Sequence, residues 1–436
     1  MTKNSLYLAA AVLTGIAPIT AFAHSYGPPP RVTGAPGDNS RACTQCHSSS
    51  ALNSGTGSVK ILLQSGPVYI PGVKQRVTVQ VSDPAQRRWG FEFTARLNSD
   101  LEKGQAGDLN PVDNLTQVIC EDNAPRPCAS GVTFITHTSA GTRNGTRNGV
   151  TFQFDWTPPA GNAGPVTFYV AGNAANGDAN FTGDFIYTSS VQLTPVTPAA
   201  PTVTAGNIVS AATTVAGPMA PNSWATIYGT NLGVTTRGWS DGDFVNGQIP
   251  FSLDGVSVFL NQFGAPRLAY VGYVSPTQIN FLLPSDLNAT ATTVQVRNPA
   301  GTSTAVPITV QANACQLFTS DGKSVMGAHA NGTLLGKSAP AAPGESIVIY
   351  GTGMGAASPA LIPGVVPSDA SPLATLPQVS IGGAQATVSF AGVVPGTAGV
   401  YQINVQVPAG AANGDLPVTI QVGTATSVAA TLTVQK

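Results

Sequence analysis

Five residues near the start of the chain, Cys43-Thr44-Gln45-Cys46-His47, have the types and the spacing of a c-type haem attachment site. Two thiols separated by two residues can each add S–H across a haem vinyl group, and the adjacent imidazole can reach the iron. On that reading Cys43 and Cys46 are the thioether anchors and His47 is the proximal metal ligand. The cysteine count fits. Two thioethers, a Cys120–Cys128 disulfide closing a short loop, and a lone Cys315 account for all 5 cysteines. Zinc is poorly served, because only one histidine and two cysteines lie close together in the sequence.

Haem attachment needs an exported compartment, and the N-terminus supplies the signal for one. Lys3 precedes an apolar run from Leu6 to Ile19, and Ala21-Phe22-Ala23 reads as a small-x-small cleavage site, giving a signal peptide over 1–23. That run is too short for a comfortable membrane span, and no later stretch reaches about 20 apolar residues. The final strand-like run, Thr431-Leu432-Thr433-Val434, has no sorting tail after it. The expectation is a secreted protein, extracellular or periplasmic, with no membrane insertion after cleavage. Charged residues make up 9% of the chain, against about 25% in ordinary soluble domains, and formal net charge is -1 with no basic run. Such a surface offers no footprint for nucleic acid or for an anionic membrane.

The elements that must position the motif read as strands. Val77-Thr78-Val79-Gln80-Val81 puts three valines on one face, and Phe152-Gln153-Phe154-Asp155-Trp156 puts three aromatics on one face. Val166-Thr167-Phe168-Tyr169-Val170 is a third such run, and no helical period of comparable length occurs. Gly 48 and Pro 35 supply the frequent turns that short strands require. With about 150 residues per domain as a guide, 436 residues make roughly three domains. A Pro/Thr stretch from Leu193 to Pro201 is a semi-extended linker, assigned to 193–205. Beyond it the chain repeats. Pro221-Asn222-Ser223-Trp224-Ala225-Thr226-Ile227-Tyr228-Gly229-Thr230 matches Pro343-Gly344-Glu345-Ser346-Ile347-Val348-Ile349-Tyr350-Gly351-Thr352, and Gln278-Ile279-Asn280 matches Gln402-Ile403-Asn404. The fold class is therefore all-β, with tandem antiparallel β-sandwich domains over 24–192, 206–313 and 314–436.

From about Gly37 to Tyr187 the sequence resembles the Reeler domain and its bacterial relatives. The residues carrying the resemblance are the Cys43–His47 segment, Tyr69-Ile70-Pro71-Gly72, Gly90-Phe91-Glu92-Phe93-Thr94-Ala95-Arg96, Cys128, His137-Thr138, Phe154-Asp155-Trp156-Thr157-Pro158-Pro159 and Val166-Thr167-Phe168-Tyr169. It departs from the eukaryotic pattern, which has a cysteine and a nearby histidine but no compact Cys-x-x-Cys-His. The resemblance implies an extracellular β-sandwich that brings His47 and His137 together, making His137 the candidate second iron ligand; the alternative for His137 is a histidine hydrogen-bonded at a strand end. His24 and an open site are the alternatives. It equally implies a haem-free arrangement in which Cys43 or Cys46 forms a disulfide with Cys120 or Cys128. From about Gly206 onward the chain looks like the C-terminal domain of Solibacter-type secreted proteins. Ala220-Pro221, Ile227-Tyr228-Gly229-Thr230-Asn231-Leu232-Gly233, Tyr273-Val274-Ser275-Pro276-Thr277-Gln278-Ile279-Asn280-Phe281 and Tyr350-Gly351-Thr352-Gly353 carry this one. It implies immunoglobulin-like modules of the TIG type, with no established activity.

Other signals carry less. Cleavage after Ala23 would expose His24 as an N-terminal copper chelate of the kind used by lytic polysaccharide monooxygenases, but the following sequence is Pro-rich and Reeler-like. Gly351-Thr352-Gly353-Met354-Gly355 lacks the third glycine and the βαβ context of a dinucleotide site. Asp178, Asn180 and Asp184 could offer oxygens to calcium, although Asn-Gly-Asp clusters are ordinarily turns. Glu92 and Arg96 read as a surface or structural pair. No nucleophile elbow or His-Glu-x-x-His occurs, so no enzyme activity is expected. Two functions remain in view. One is electron transfer or haem-linked binding at the cell surface. The other is a haem-free adhesion or matrix protein with structural disulfides, bound to an extracellular or periplasmic protein or polymer.

Overall fold

The structure is a computed structural model that describes residues 25–39, 42–129 and 131–436. The signal peptide and His24, with its copper reading, lie outside the described residues. The chain is all-β, built from antiparallel sheets joined by turns. Among the described residues no helix is long and apolar enough to cross a membrane.

The N-terminal part comprises β1 (Ser58–Leu63), β2 (Val68–Tyr69), β3 (Gln75–Asp83), β4 (Arg88–Leu97), β5 (Asp100–Gln105) and β6 (Asp108–Pro111). β7 (Thr116–Cys120), β8 (Thr133–His137), β9 (Asn148–Thr157), β10 (Val166–Ala175) and β11 (Phe185–Pro195) complete it. One sheet has the order β1-β3-β9-β6. The other has the order β2-β11-β10-β4-β8-β7, with β5 on β4. The period-2 alternation decides which side chains meet. Val77, Val79 and Val81 pair in register with Phe154, Phe152 and Val150, and all face Phe91, Phe93 and Phe168 of the second sheet. Phe93 meets Phe154 and Phe168 edge-on at 4.8 and 5.0 Å between ring centres. Trp156 is fully buried and donates its indole N–H to the Ala106 carbonyl at 2.7 Å, so its one polar atom is satisfied. Each buried aromatic contributes roughly 1.5–3 kcal/mol, which makes this cluster the main anchor of the sandwich.

Two features differ from the alternating pattern. First, the strand β11 runs on to Pro195, so the start of the Pro/Thr stretch belongs to a sheet. Leu193 is buried in the core, and Thr194 and Pro195 pair in parallel with Val68 and Tyr69. Second, β4 is buried on both faces. Trp89, Phe91, Phe93 and Ala95 point into the core, while Gly90, Glu92, Thr94 and Arg96 lie under the N-terminal segment. An antiparallel sheet commonly leaves one face to water. Here a chain segment takes the water's place.

The repeat reappears as structure. Strand Trp224–Tyr228 pairs with Gln278–Leu282, placing Tyr228, Ile227 and Thr226 opposite Gln278, Ile279 and Asn280. Strand Ser346–Thr352 pairs with Tyr401–Gln406 in the same register, Tyr350, Ile349 and Val348 opposite Gln402, Ile403 and Asn404. In both, the glutamine amide donates to the asparagine two residues on, at 2.8 and 2.7 Å. The shared glycine has one reason in both copies. A Cβ on Gly229 or Gly351 would sit 2.4 or 2.5 Å from a neighbouring carbonyl oxygen. Each copy surrounds its own core, one centred on Ile227, Ile279 and Phe281, the other on Ile349, Ile403 and Tyr401. Gly351 and Thr352 thus end a strand of this module, and Gly353 and Gly355 lead out of it at positive φ.

Candidate functional site

The covering segment begins at Ser25 and is pinned to the sheet by polar groups. Arg96 donates to Asp38 at 2.7 Å, and neither side chain has any exposed surface. Arg96 also donates to the Thr94 hydroxyl and the Glu102 carbonyl. Glu92 accepts the Val32 amide N–H at 2.6 Å. The surface half of the expectation for Glu92 and Arg96 therefore needs correction. They are buried, and Arg96 pairs with Asp38 of the covering segment, an arrangement no local pattern announces.

Glu92 has a measurable consequence. Burial pushes its carboxyl well above the usual carboxylate range, with the charge of Asp38 adding to the rise, against the Val32 N–H and Arg96. The folded state then binds the proton more tightly than the unfolded chain. Stability from this group is complete below the ordinary glutamate pKa and falls as pH rises above it towards the raised value. The slope approaches about 1.4 kcal/mol per pH unit within that window. Glu92→Gln should flatten this part of the stability–pH curve in denaturant titrations. An unchanged slope would mean that Glu92 titrates normally.

Next along the segment comes a 3-10 turn, Ala42–Gln45. The amides of Cys46 and His47 both reach back to the Cys43 carbonyl, at 3.3 and 3.1 Å. That turn gathers Cys43, Cys46 and His47 at one end of a cleft. Cys43 is buried against Val32, Ala42, Ala171 and Ile186. Burial, with lesser contributions from Glu92 and Cys46, raises its pKa far above the usual range, so it is a neutral thiol. Its S–H points to the Val32 carbonyl at 3.8 Å. Cys46 is exposed.

His47 is held from three sides. Its Nδ1 lies 2.6 Å from Oδ2 of Asp184, a side chain with 1% of its surface exposed. The Asn173 amide nitrogen lies 3.2 Å from its Nε2 and 3.4 Å from its Nδ1, over the ring, and the Phe181 ring meets it edge-on at 5.3 Å. Asp184 therefore serves His47 and the Asn176 amide N–H. The rest of the calcium reading is also used locally. Asp178 accepts the Asn180 N–H at 2.8 Å and the Asn176 side-chain amide at 3.1 Å, as a turn does. Among the described residues no three His, Cys, Asp or Glu side chains are grouped as a bare metal ion would require.

His137 ends β8 and lines the same cleft as Cys43, Cys46 and His47. Its Nδ1 lies 3.1 Å from the Phe91 amide nitrogen and 3.3 Å from the Phe91 carbonyl. It can thus accept from one or donate to the other, according to tautomer. The ring rests on Gly90. A Cβ there would stand 2.7 Å from Cε1 of His137. The cleft spans about 770 Å³, counting its open side, and Pro28, Pro29, Val32 and Ala42 contribute apolar walls. Asn173 Oδ1 is buried beside it without a hydrogen-bond partner. Cys120 and Cys128 form a disulfide with each other, leaving Cys43, Cys46 and the buried Cys315 as thiols. That corrects the alternative in which Cys43 or Cys46 joins Cys120 or Cys128. Asn173 gave no signal in the sequence, and Asp184 gave one only as a turn acid. Asn173 lies on β10 and Asp184 immediately precedes β11, its pairing partner, but the residue both meet is His47, far back in the cysteine turn.

The chain is therefore an all-β protein of antiparallel sandwiches, with one apolar cleft lined by two thiols and two imidazoles. No protein-family model matches it, and no curated protein sequence does. Solved structures to which it is similar include a reeler domain of human F-spondin, at 18% identity over 34% of this chain and 94% of that one, TM-score 0.23. Another is the SGBP-B protein of a Bacteroides ovatus mixed-linkage glucan utilization locus, solved with a mixed-linkage heptasaccharide. That match has 11% identity over 88% of this chain and 69% of that one, TM-score 0.25. A titin I9–I11 tandem matches at 9% identity over 86% of this chain and 98% of that one, TM-score 0.16.

Proposed function

We propose that this chain is an exported protein for electron transfer or haem-linked binding, carrying a c-type haem in the cleft of its N-terminal sandwich. The observation that carries the reading is convergence. Cys43, Cys46, His47 and His137, spread over 95 positions of sequence, line a single apolar cleft, and both cysteines are thiols. A porphyrin brings four donors of its own, so one or two histidines suffice, and the lack of a larger ligand cluster is no obstacle.

When bound, the haem would supply one-electron redox chemistry, with a potential set by its axial ligands and surroundings. The chain's own residues have separate tasks. Cys46 offers an exposed thiol and Cys43 a buried one, and these two would hold the haem covalently, each adding S and H across a vinyl C=C with nothing leaving. His47 would be the proximal ligand, and His137, backed by Gly90 and the Phe91 backbone, would be the second. The apolar walls limit water. The two C-terminal modules would present loops to a protein or polymer partner.

Intact mass tests this. The full chain, made in a host with cytochrome c maturation, should gain about one haem mass, and the Cys43→Ala/Cys46→Ala variant should gain none. If neither gains mass, the haem is removed and a haem-free adhesion module becomes the better account.

A further inference from the structure

The two C-terminal modules share more than their cores need. Ile279 and Ile403 point inward and pack, but Gln278, Asn280, Gln402 and Asn404 alternate with them and point the other way. Residues paired across neighbouring strands stand on one face, so the register says what surrounds each amide pair. In the first module Tyr228 stands opposite Gln278, and Tyr273, on the strand at the other side, stands opposite Asn280. In the second, Tyr350 stands opposite Gln402, and Phe390, again on the other side, stands opposite Asn404. Tyr228 is 37% exposed and the others are half-buried. Each module thus turns outward the same patch, two planar amides with an aromatic ring on either side.

The amides are also joined alike. Gln278 donates to Asn280 Oδ1 at 2.8 Å, and Gln402 donates to Asn404 Oδ1 at 2.7 Å. Each patch is left with a glutamine oxygen that accepts and an asparagine NH2 group that donates, neither with a partner among the described residues. A sugar hydroxyl both donates and accepts, so it matches such a pair. The C–H face of a sugar ring lies well on an aromatic ring, whose face is negative. No side chain of either patch carries charge at neutral pH. We infer that these two sheet faces bind a neutral polysaccharide, one stretch of sugar rings on each module. A chain of repeating units suits two copies of one patch, because it can engage both at once. The inference deepens the polymer-partner reading of the C-terminal modules, with sheet faces rather than loops making the contact, and stands apart from the haem.

Affinity electrophoresis tests it, with the full chain made without cytochrome maturation and run through gels containing hydroxyethyl cellulose, dextran or galactomannan. Alginate serves as the charged counterpart. At least one neutral polymer should retard the wild type, and alginate should not. Tyr228→Ala/Tyr350→Ala should weaken the retardation by about tenfold or more, as truncating an aromatic anchor does. Tyr228→Phe/Tyr350→Phe should keep it, since the rings remain. Gln278→Glu/Gln402→Glu reads the amides without changing side-chain length. Each asparagine must then turn its NH2 group to the new carboxylate, so the patch presents acceptors only and retardation should be lost. Urea unfolding of the same variants separates binding from a structural role. Retardation by no neutral polymer, or by alginate alone, overturns the inference. So does a shifted unfolding midpoint with unchanged retardation, which would make the repeated pair a brace for its own sheet. Haem uptake without retardation sinks this inference alone, and retardation in a chain that takes up no haem sinks only the haem reading.

Discussion

Replacing Asp38 by alanine is expected to destabilise the N-terminal sandwich by about 3–5 kcal/mol and to free the segment that carries the cysteine motif. Arg96 and Asp38 are both without exposed surface. Removing the carboxylate leaves a guanidinium that cannot lose its charge inside a low-dielectric layer, with the Thr94 hydroxyl, main-chain carbonyls, the Phe134 ring and the buried Glu92 carboxyl as its remaining surroundings. The Thr33 hydroxyl, 2.6 Å from the other carboxylate oxygen, loses its acceptor too. Asp286→Ala is the matching control. Its ion pair with Arg267 is exposed on both sides, so the change should stay within about 1 kcal/mol. Urea unfolding, with limited proteolysis between residues 25 and 47, separates the two effects. Equal midpoints for the two variants would show that the buried pair does not hold the segment down.

The second large effect is at Gly90. Alanine there lowers the entropy of the unfolded chain, ordinarily a gain of about 0.4–1 kcal/mol. Against this, its Cβ would stand 2.7 Å from His137 Cε1 and 3.1 Å from Nδ1. Crowding of that kind costs about 1–3 kcal/mol, so the clash wins and the ring must leave its place on the Phe91 backbone. A Cβ on Gly161 would meet no atom within 4 Å, so Gly161→Ala should be neutral or stabilising. The double variant Gly90→Ala/His137→Ala tests the cause. It should be clearly less unstable than the sum of the two single changes, because the ring that suffers the clash is gone. Strict additivity would place the strain elsewhere.

These two sites mark the line between what was legible and what was not. The strands were legible, because inside/outside alternation is a property of adjacent residues: Val77, Val79 and Val81 are all fully buried, as are Phe152, Phe154 and Trp156. The repeat was legible as well, since the same tyrosine-glycine and glutamine-asparagine pairs recur in order and then meet in one register. The Cys43–His47 motif could be read because its chemistry is local, three groups within one turn. The Cys120–Cys128 bridge was a matter of short spacing.

The tertiary structure alone decided what stands around that motif. Asp184 lies 137 positions from His47 and Glu92 lies 60 from Val32. In sequence, Glu92 and Arg96 occupy the positions that an antiparallel strand turns to water. They are buried because a separate segment folds over that face. The identity of a buried polar partner depends on which distant strands become neighbours, and no period in the chain encodes that. The sequence by itself determined an all-β chain with a chemically marked turn. Long-range packing made that turn one wall of an apolar cleft and set an acid behind its histidine.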